Sequence, residues 1–279
     1  MPRFASYDGT EISFRVLGDG APVVCLPGGP GRAAEYLGDL GGLVGSRRLV
    51  LLDPRGVGGS ADPADAATLR VDRLVDDVES LRVHLGLPRM DVLAHSAGAV
   101  LATLYTAGYP QRVSRLILLT PGLAAVGVPP GAEQLAAALQ RSAAEPWYSD
   151  ARAGWEKILG GDLTLAAYRA CRPLFYGRWD DAARAHASVG MAEGHGAARR
   201  GYFADVVFDV AAIRASLTEF TGRVLLYGGE LDPLVTPVLL AQAAPHFGDV
   251  SVLVQPGAGH FPWVDDPAAF TAAISSFLG

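Results

Sequence analysis

Val92-Leu93-Ala94-His95-Ser96-Ala97-Gly98-Ala99 is an apolar segment that closes in small residues and runs straight on into Val100-Leu101-Ala102-Thr103-Leu104-Tyr105. The first half has the unbroken apolar character of a buried strand, and the second reads as a helix. Ala94 and Gly98 stand two before and two after Ser96. Small residues at those two places let strand and helix come close enough to hold a serine in a strained turn, with its hydroxyl clear of the backbone. The arrangement is a nucleophile elbow, with alanine rather than the usual glycine at its first small position.

A serine hydroxyl is a poor nucleophile at neutral pH, so it requires a base to take its proton and a third group to orient that base. Arg223-Val224-Leu225-Leu226-Tyr227-Gly228-Gly229-Glu230-Leu231-Asp232-Pro233 supplies a buried strand, a glycine turn and a carboxylate, Asp232. One strand later, Val250-Ser251-Val252-Leu253-Val254-Gln255-Pro256-Gly257-Ala258-Gly259-His260 places His260 in a glycine-rich loop. The reading is therefore Ser96 as nucleophile, His260 as base and Asp232 as the group that holds the imidazole. A tetrahedral intermediate also needs donors for its oxyanion. The Ala97 amide is one, and the Gly28-Gly29 loop after Val23-Val24-Cys25-Leu26 offers the other through Gly29, with Gly28 beside it.

Other residues compete for these roles. Glu230 shares a loop with Asp232, and the end of the preceding strand, Leu116-Ile117-Leu118-Leu119, carries Thr120 and not a competing carboxylate. His84, His186, His195 and His246 fall on predicted helices or their ends. His95 adjoins the serine and is expected to shape the substrate pocket.

With 279 residues, 50% of them hydrophobic, the chain can bury a large core and reads as one catalytic domain with an insertion. A net charge of -6 without a basic run argues against nucleic acid as a partner. No apolar signal core opens the sequence, and no apolar run approaches the ~20 residues that span a bilayer, so no membrane partner and a cytoplasmic location are expected. Cys25 and Cys171 are far apart and form neither a disulfide framework nor a metal spacing. Lys157, the only lysine, belongs to no phosphate loop, and no strand leads into Gly-x-Gly-x-x-Gly. No metal and no cofactor are expected, and the partner is a small-molecule or short-peptide substrate.

Ile12 to Val16 and Val23 to Leu26 read as a hairpin around Gly18-Asp19-Gly20, after which strands and helices alternate. Leu74 to Leu85 is an amphipathic helix, and Asp53-Pro54-Arg55-Gly56-Val57-Gly58-Gly59-Ser60 reads as a structural loop near the site. Alternation of this kind implies an α/β fold with a mostly parallel sheet, helices on both faces and functional groups at the strand C-termini. From 122 to 216 the strands stop and alanine-rich helices take over, so 1–121 with 217–279 form the core and 122–216 an inserted helical cap or lid. Trp147, Trp155, Phe175, Tyr176 and Trp179 are candidates to line a pocket beneath it.

Pro27-Gly28-Gly29-Pro30-Gly31, Asp53 to Ser60, the elbow, Asp232 and Gly257-Ala258-Gly259-His260 together resemble the α/β-hydrolase superfamily, and within it the prolyl aminopeptidase (proline iminopeptidase) branch. The resemblance implies an eight-stranded sheet and a serine hydrolase that releases an N-terminal aminoacyl group through an acyl-enzyme. Cap carboxylates hold the free amine in that branch, which implies such a role for Glu156 and Glu193. Three residues depart from the branch: Pro27 where its loop begins with histidine, and His95 and Ala97 where its elbow has glycine and tryptophan. A histidine before the nucleophile resembles esterases and lactonases. A carboxylesterase or lactonase is therefore the alternative, followed by acyl transfer and by a non-catalytic small-molecule receptor.

Overall fold

The computed structural model describes residues 1–162, 164–189 and 196–279. Eight strands run in chain order as β1 (Arg3–Ala5), β2 (Glu11–Leu17), β3 (Pro22–Leu26), β4 (Arg48–Leu52), β5 (Met90–His95), β6 (Val113–Leu119), β7 (Arg223–Gly229) and β8 (Asp249–Gln255). They form one sheet ordered β1-β2-β4-β3-β5-β6-β7-β8. The pairs from β4 to β8 are all parallel, while β1 and β2 add an antiparallel edge.

The hairpin expected between β2 and β3 does not exist. β2 pairs antiparallel with β4, Phe14 opposite Leu52, and β3 lies on the far side of β4. Two apolar runs joined by a glycine turn are locally indistinguishable from a hairpin. Here Val23, Val24, Cys25 and Leu26 are all fully buried, which suits a central parallel strand rather than one of an edge pair.

Among the described residues eleven α-helices follow the chain: α1 (Val71–His84), α2 (Ala97–Gly108), α3 (Ala132–Gln140), α4 (Tyr148–Leu159), α5 (Leu165–Cys171), α6 (Asp181–Ser188), α7 (Gly196–Tyr202), α8 (Val210–Glu219), α9 (Pro237–Ala243), α10 (Pro262–Asp265) and α11 (Pro267–Leu278). The strands distribute their side chains alternately, as the pleat requires. Val24, Val50, Val92, Leu116 and Val224 join one apolar layer with Leu74 and Val78 of α1, Val100 of α2 and Leu217 of α8. Val23, Leu49, Leu93, Ile117 and Leu225 join the opposite layer with Phe270, Ile274 and Phe277 of α11. The sheet is thus covered on both faces, so its all-apolar central strands are stable only in the middle of the molecule.

Between β6 and β7 the described residues form helices and no strand. Leu139, Ala151, Cys171 and Leu174 make a small apolar cluster of their own, so this helical segment has its own core, and it shares one cavity with the residues that follow β3 and β5. No described helix is long and apolar enough to cross a membrane.

Candidate active site

Ser96 lies between β5 and α2 with φ 53° and ψ −122°, a conformation that L-residues rarely adopt. Three hydrogen bonds hold it there. Its N–H donates to the Leu119 carbonyl at 3.0 Å, and its own carbonyl accepts from Ala99 at 3.0 Å and Gly122 at 2.8 Å. Gly98 is required for packing, because a Cβ there would run into the Pro27 carbonyl oxygen at the end of β3. A Cβ at Gly28 would lie 2.8 Å from both the His95 carbonyl and the Ser96 Cβ. Small residues on both loops therefore let strand, elbow and glycine loop converge.

The serine, histidine and aspartate come from three separate loops and meet. His260 Nε2 is 2.9 Å from Ser96 Oγ, and His260 Nδ1 is 2.8 Å from Asp232 Oδ2. Asp232 is fully buried, and its other oxygen accepts the Leu234 N–H at 2.8 Å. With Nδ1–H donated to the carboxylate, the Nε2 lone pair faces the serine hydroxyl. Among the described residues, neither the Gly29 N–H nor the Ala97 N–H has an acceptor. Both are free to donate to an oxygen developing beside Ser96.

His95 shows how the surroundings are fixed. The Gly28 N–H donates to the Tyr36 hydroxyl at 2.7 Å, and that hydroxyl is 2.7 Å from His95 Nδ1. His95 Nε2 is 3.0 Å from the His260 carbonyl oxygen, which can only accept. The assignment is then Nε2–H on His95 donating to His260, and Tyr36 donating to Nδ1. Burial, reinforced by the nearby His260 ring, pushes the His95 pKa well below its ordinary 6.5, so the ring is neutral and fits this relay. Thr120, at the place of the alternative acid, donates its hydroxyl to the same His260 carbonyl at 3.1 Å.

The helical segment between β6 and β7 also touches the histidine loop. The His260 N–H donates to the Phe175 carbonyl at 2.7 Å. The buried Asp265 carboxylate accepts from Gly259 at 2.8 Å on one oxygen and from Gly177 at 2.9 Å on the other, joining the histidine loop to the cap. No sequence pattern marks Tyr36, Thr120, Phe175 or Asp265 for these tasks.

Ser96, His260, His95 and Gly29 open into a cavity of about 480 Å³ that is also lined by Trp155, Phe175 and Tyr176. The other expected positions fare differently. Gly28 does not line this cavity and serves the Tyr36 relay instead. Trp147 and Trp179 face a second, polar pocket. Glu156 corrects the expectation of an amine-binding carboxylate: it lies on the outer face of α4, 60% exposed, paired with Arg152 one turn back at 2.9 Å. On this helix Trp155 and Ile158 face inward and carry Glu156 outward. Glu193 lies outside the described residues. Asp53, in the loop read as structural, accepts the Ala34 N–H at 2.8 Å and the Gly59 N–H at 3.0 Å, fixing the chain just beyond the glycine loop.

Comparisons with known proteins converge on this architecture. The family model described as alpha/beta hydrolase fold matches residues 21–267. A proline iminopeptidase of Heyndrickxia coagulans is 35% identical over 125 residues, which are 44% of this chain and 43% of that protein. A probable proline iminopeptidase of Streptomyces coelicolor is 36% identical over 123 residues, 40% of this chain and 36% of that one. The matched stretches thus span about two fifths of these curated relatives. Two solved structures share the fold over nearly the whole of both chains. An esterase from Exiguobacterium antarcticum has TM-score 0.75, 18% identity and coverage of 99% and 98%. The enol-lactonase from Burkholderia xenovorans has TM-score 0.69, 19% identity and coverage of 99% and 99%. With a family model spanning nearly all of the chain, and local sequence likeness to the prolyl aminopeptidase branch, the protein belongs to the α/β-hydrolase fold family.

Proposed function

We propose that the protein is a serine hydrolase that cleaves small-molecule carboxylic esters or lactones through an acyl-enzyme. The observation that carries this is the unbroken relay of Ser96 Oγ, the His260 ring and Asp232, with steps of 2.9 and 2.8 Å, at the floor of a cavity sized for a small ligand. Ser96 Oγ attacks the carbonyl carbon while its proton passes to His260 Nε2, and Asp232 stabilises the imidazolium. The negative oxygen is received by the Gly29 and Ala97 amides, each worth roughly 3 kcal/mol when aligned with the transition state. Collapse expels the alcohol, which takes the proton from Nε2. Water, deprotonated by the same nitrogen, then attacks the acyl-enzyme and releases the acid.

An aminopeptidase is the second reading, favoured by the sequence likeness to proline iminopeptidases. It requires a carboxylate for the substrate's ammonium, and no aspartate or glutamate is among the described residues that line the cavity. That absence puts the ester reading first. A fluorophosphonate probe is expected to label wild-type protein at Ser96 and to leave Ser96→Ala unlabelled. A panel of p-nitrophenyl esters beside aminoacyl and N-acylated aminoacyl amides then separates the two readings. Turnover of esters but not of free-amine amides supports the ester reading. Turnover of the free-amine amides alone, weakened by Glu193→Gln, replaces it with the aminopeptidase.

A further inference from the structure

The cavity above Ser96 is lined by three guanidinium groups, Arg32, Arg172 and Arg199, and by no described carboxylate. They arrive from different parts of the chain: the segment after the glycine loop, the turn after α5, and α7. None of the three forms an ion pair among the described residues, whereas about half of the other arginines do. Arg32 donates Nη2 to the Val189 carbonyl at 2.8 Å and lies 3.8 Å over the Tyr36 ring. Arg199 lies 4.5 Å over the Tyr168 ring. Arg172 has a buried Nη2 with no hydrogen-bond partner.

Stacking on tyrosine faces steadies a cation while leaving in-plane N–H donors of its guanidinium available, all of them at Arg199 and those other than the Nη2 bond to Val189 at Arg32. Burial lowers the pKa of Arg32 and Arg172, the latter to about 10, and each is also lowered by a neighbouring arginine. Like charges gathered in a partly dry cavity, one with an orphaned donor, are costly unless an anion completes the arrangement. Arginine forks match carboxylates in a planar, bidentate manner.

We propose that this cavity selects substrates bearing a free carboxylate, held by Arg172 and Arg199 with Arg32 beside the glycine loop, while Ser96 attacks an ester or lactone carbonyl in the same molecule. The proposal rests on the acyl-hydrolase reading and deepens it. Aromatic walls of Trp155, Phe175 and Tyr176 fit an apolar spacer between the two groups. A cationic amine, the group an aminopeptidase must hold, would meet repulsion in the same place.

The first arm compares p-nitrophenyl monoadipate with p-nitrophenyl hexanoate and p-nitrophenyl 6-aminohexanoate. The anionic ester is expected to show a kcat/KM at least about tenfold above the neutral one, with the cationic ester slowest. That ratio is expected to fall toward one in Arg172→Met and in Arg199→Met, and to recover in part in Arg172→Lys. Equal rates on the neutral and anionic esters, or arginine variants that lower all three esters in proportion, would overturn the proposal. The second arm is independent of chemistry. Ser96→Ala is titrated calorimetrically with adipic acid monoamide, hexanamide and inorganic phosphate. Tighter binding of the monoamide than of the other two supports a carboxylate site even if turnover is absent, in which case only the hydrolase reading fails. Preference for phosphate, or no preference for the monoamide over hexanamide, rejects the carboxylate site while leaving fluorophosphonate labelling of Ser96 to judge the hydrolase reading separately.

Discussion

At the scale of single residues, the site depends on atoms that have no room to be anything else. Ser96 keeps a positive φ because three backbone hydrogen bonds and two close glycine contacts hold it, so strain at the turn is sustained by packing around it. Gly98→Ala is expected to lower stability by about 1–3 kcal/mol, since the new methyl meets the Pro27 carbonyl; urea unfolding reads it. Tyr36→Phe removes the acceptor for the Gly28 N–H and the donor to His95 Nδ1 in one step. Two buried polar groups are then orphaned, at roughly 1–3 kcal/mol each, and the glycine loop loses its tether. The expected outcome is a lower melting temperature together with a fall in kcat that exceeds any change in KM. A fall in melting temperature with kcat intact would mean that the tyrosine serves only the core. Asp232→Asn is expected to lower kcat by about 10⁴-fold while the fold survives, because an amide favours the wrong imidazole tautomer. Ester turnover alongside circular dichroism checks it.

At the scale of elements, the histidine loop is tied to the helical segment between β6 and β7 by hydrogen bonds. The Asp265 carboxylate uses separate oxygens for Gly259 and Gly177, and Arg178 donates Nη2 to the Asp265 carbonyl at 2.7 Å. An asparagine offers a single side-chain acceptor, so Asp265→Asn leaves one of the two backbone donors facing an NH₂ group. The expected cost is about 2 kcal/mol of stability, with reduced turnover because His260 loses part of its support. Hydrogen exchange checks the location: faster exchange is expected at Gly177, Gly259 and His260, and at few sites in α1 or α11. Exchange that quickens evenly across the sheet would show that Asp265 supports the whole fold rather than this joint.

At the scale of the whole molecule, two neutral histidines, His95 buried and His186 half-buried, make the protein sensitive to acid. His186 bridges the Tyr176 hydroxyl at 2.7 Å and the Tyr36 carbonyl at 2.8 Å, and burial, with Arg32 and Arg172 facing it, lowers its pKa to about 4. The His95 pKa is lowered in the same direction by burial, with His260 and Arg32 facing it. Above pH 6.5 both rings are neutral in the folded and unfolded chain and add no pH dependence. Below it the unfolded chain binds protons that the folded one refuses, so for His186 stability is lost as pH falls from 6.5 toward 4, by about 1.4 kcal/mol per pH unit, and His95 adds a loss of the same sign. His186→Gln is expected to flatten that loss by nearly one proton's worth. Chemical denaturation at pH 7, 6 and 5 reads the slope, and an unchanged slope would remove His186 from the account.

Local chemistry was enough to mark the elbow, the aspartate turn and the glycine-rich histidine loop, because each is a strand end followed by residues whose smallness or charge has few other uses. The alternation of apolar strands and amphipathic helices likewise determined a mostly parallel sheet covered on both faces. Strand partnership was not legible: β2 and β3 share a glycine turn, yet β4 lies between them, since pairing depends on which surfaces remain to be buried after the whole sheet assembles. The cap was visible only as helices. Whether α4 turned Glu156 or Trp155 toward the serine depended on how that helix docked, and docking placed the tryptophan inside. Three arginines separated by up to 167 positions (199 − 32) carry no mutual signal in sequence; only the folded chain gathers their charges around one cavity.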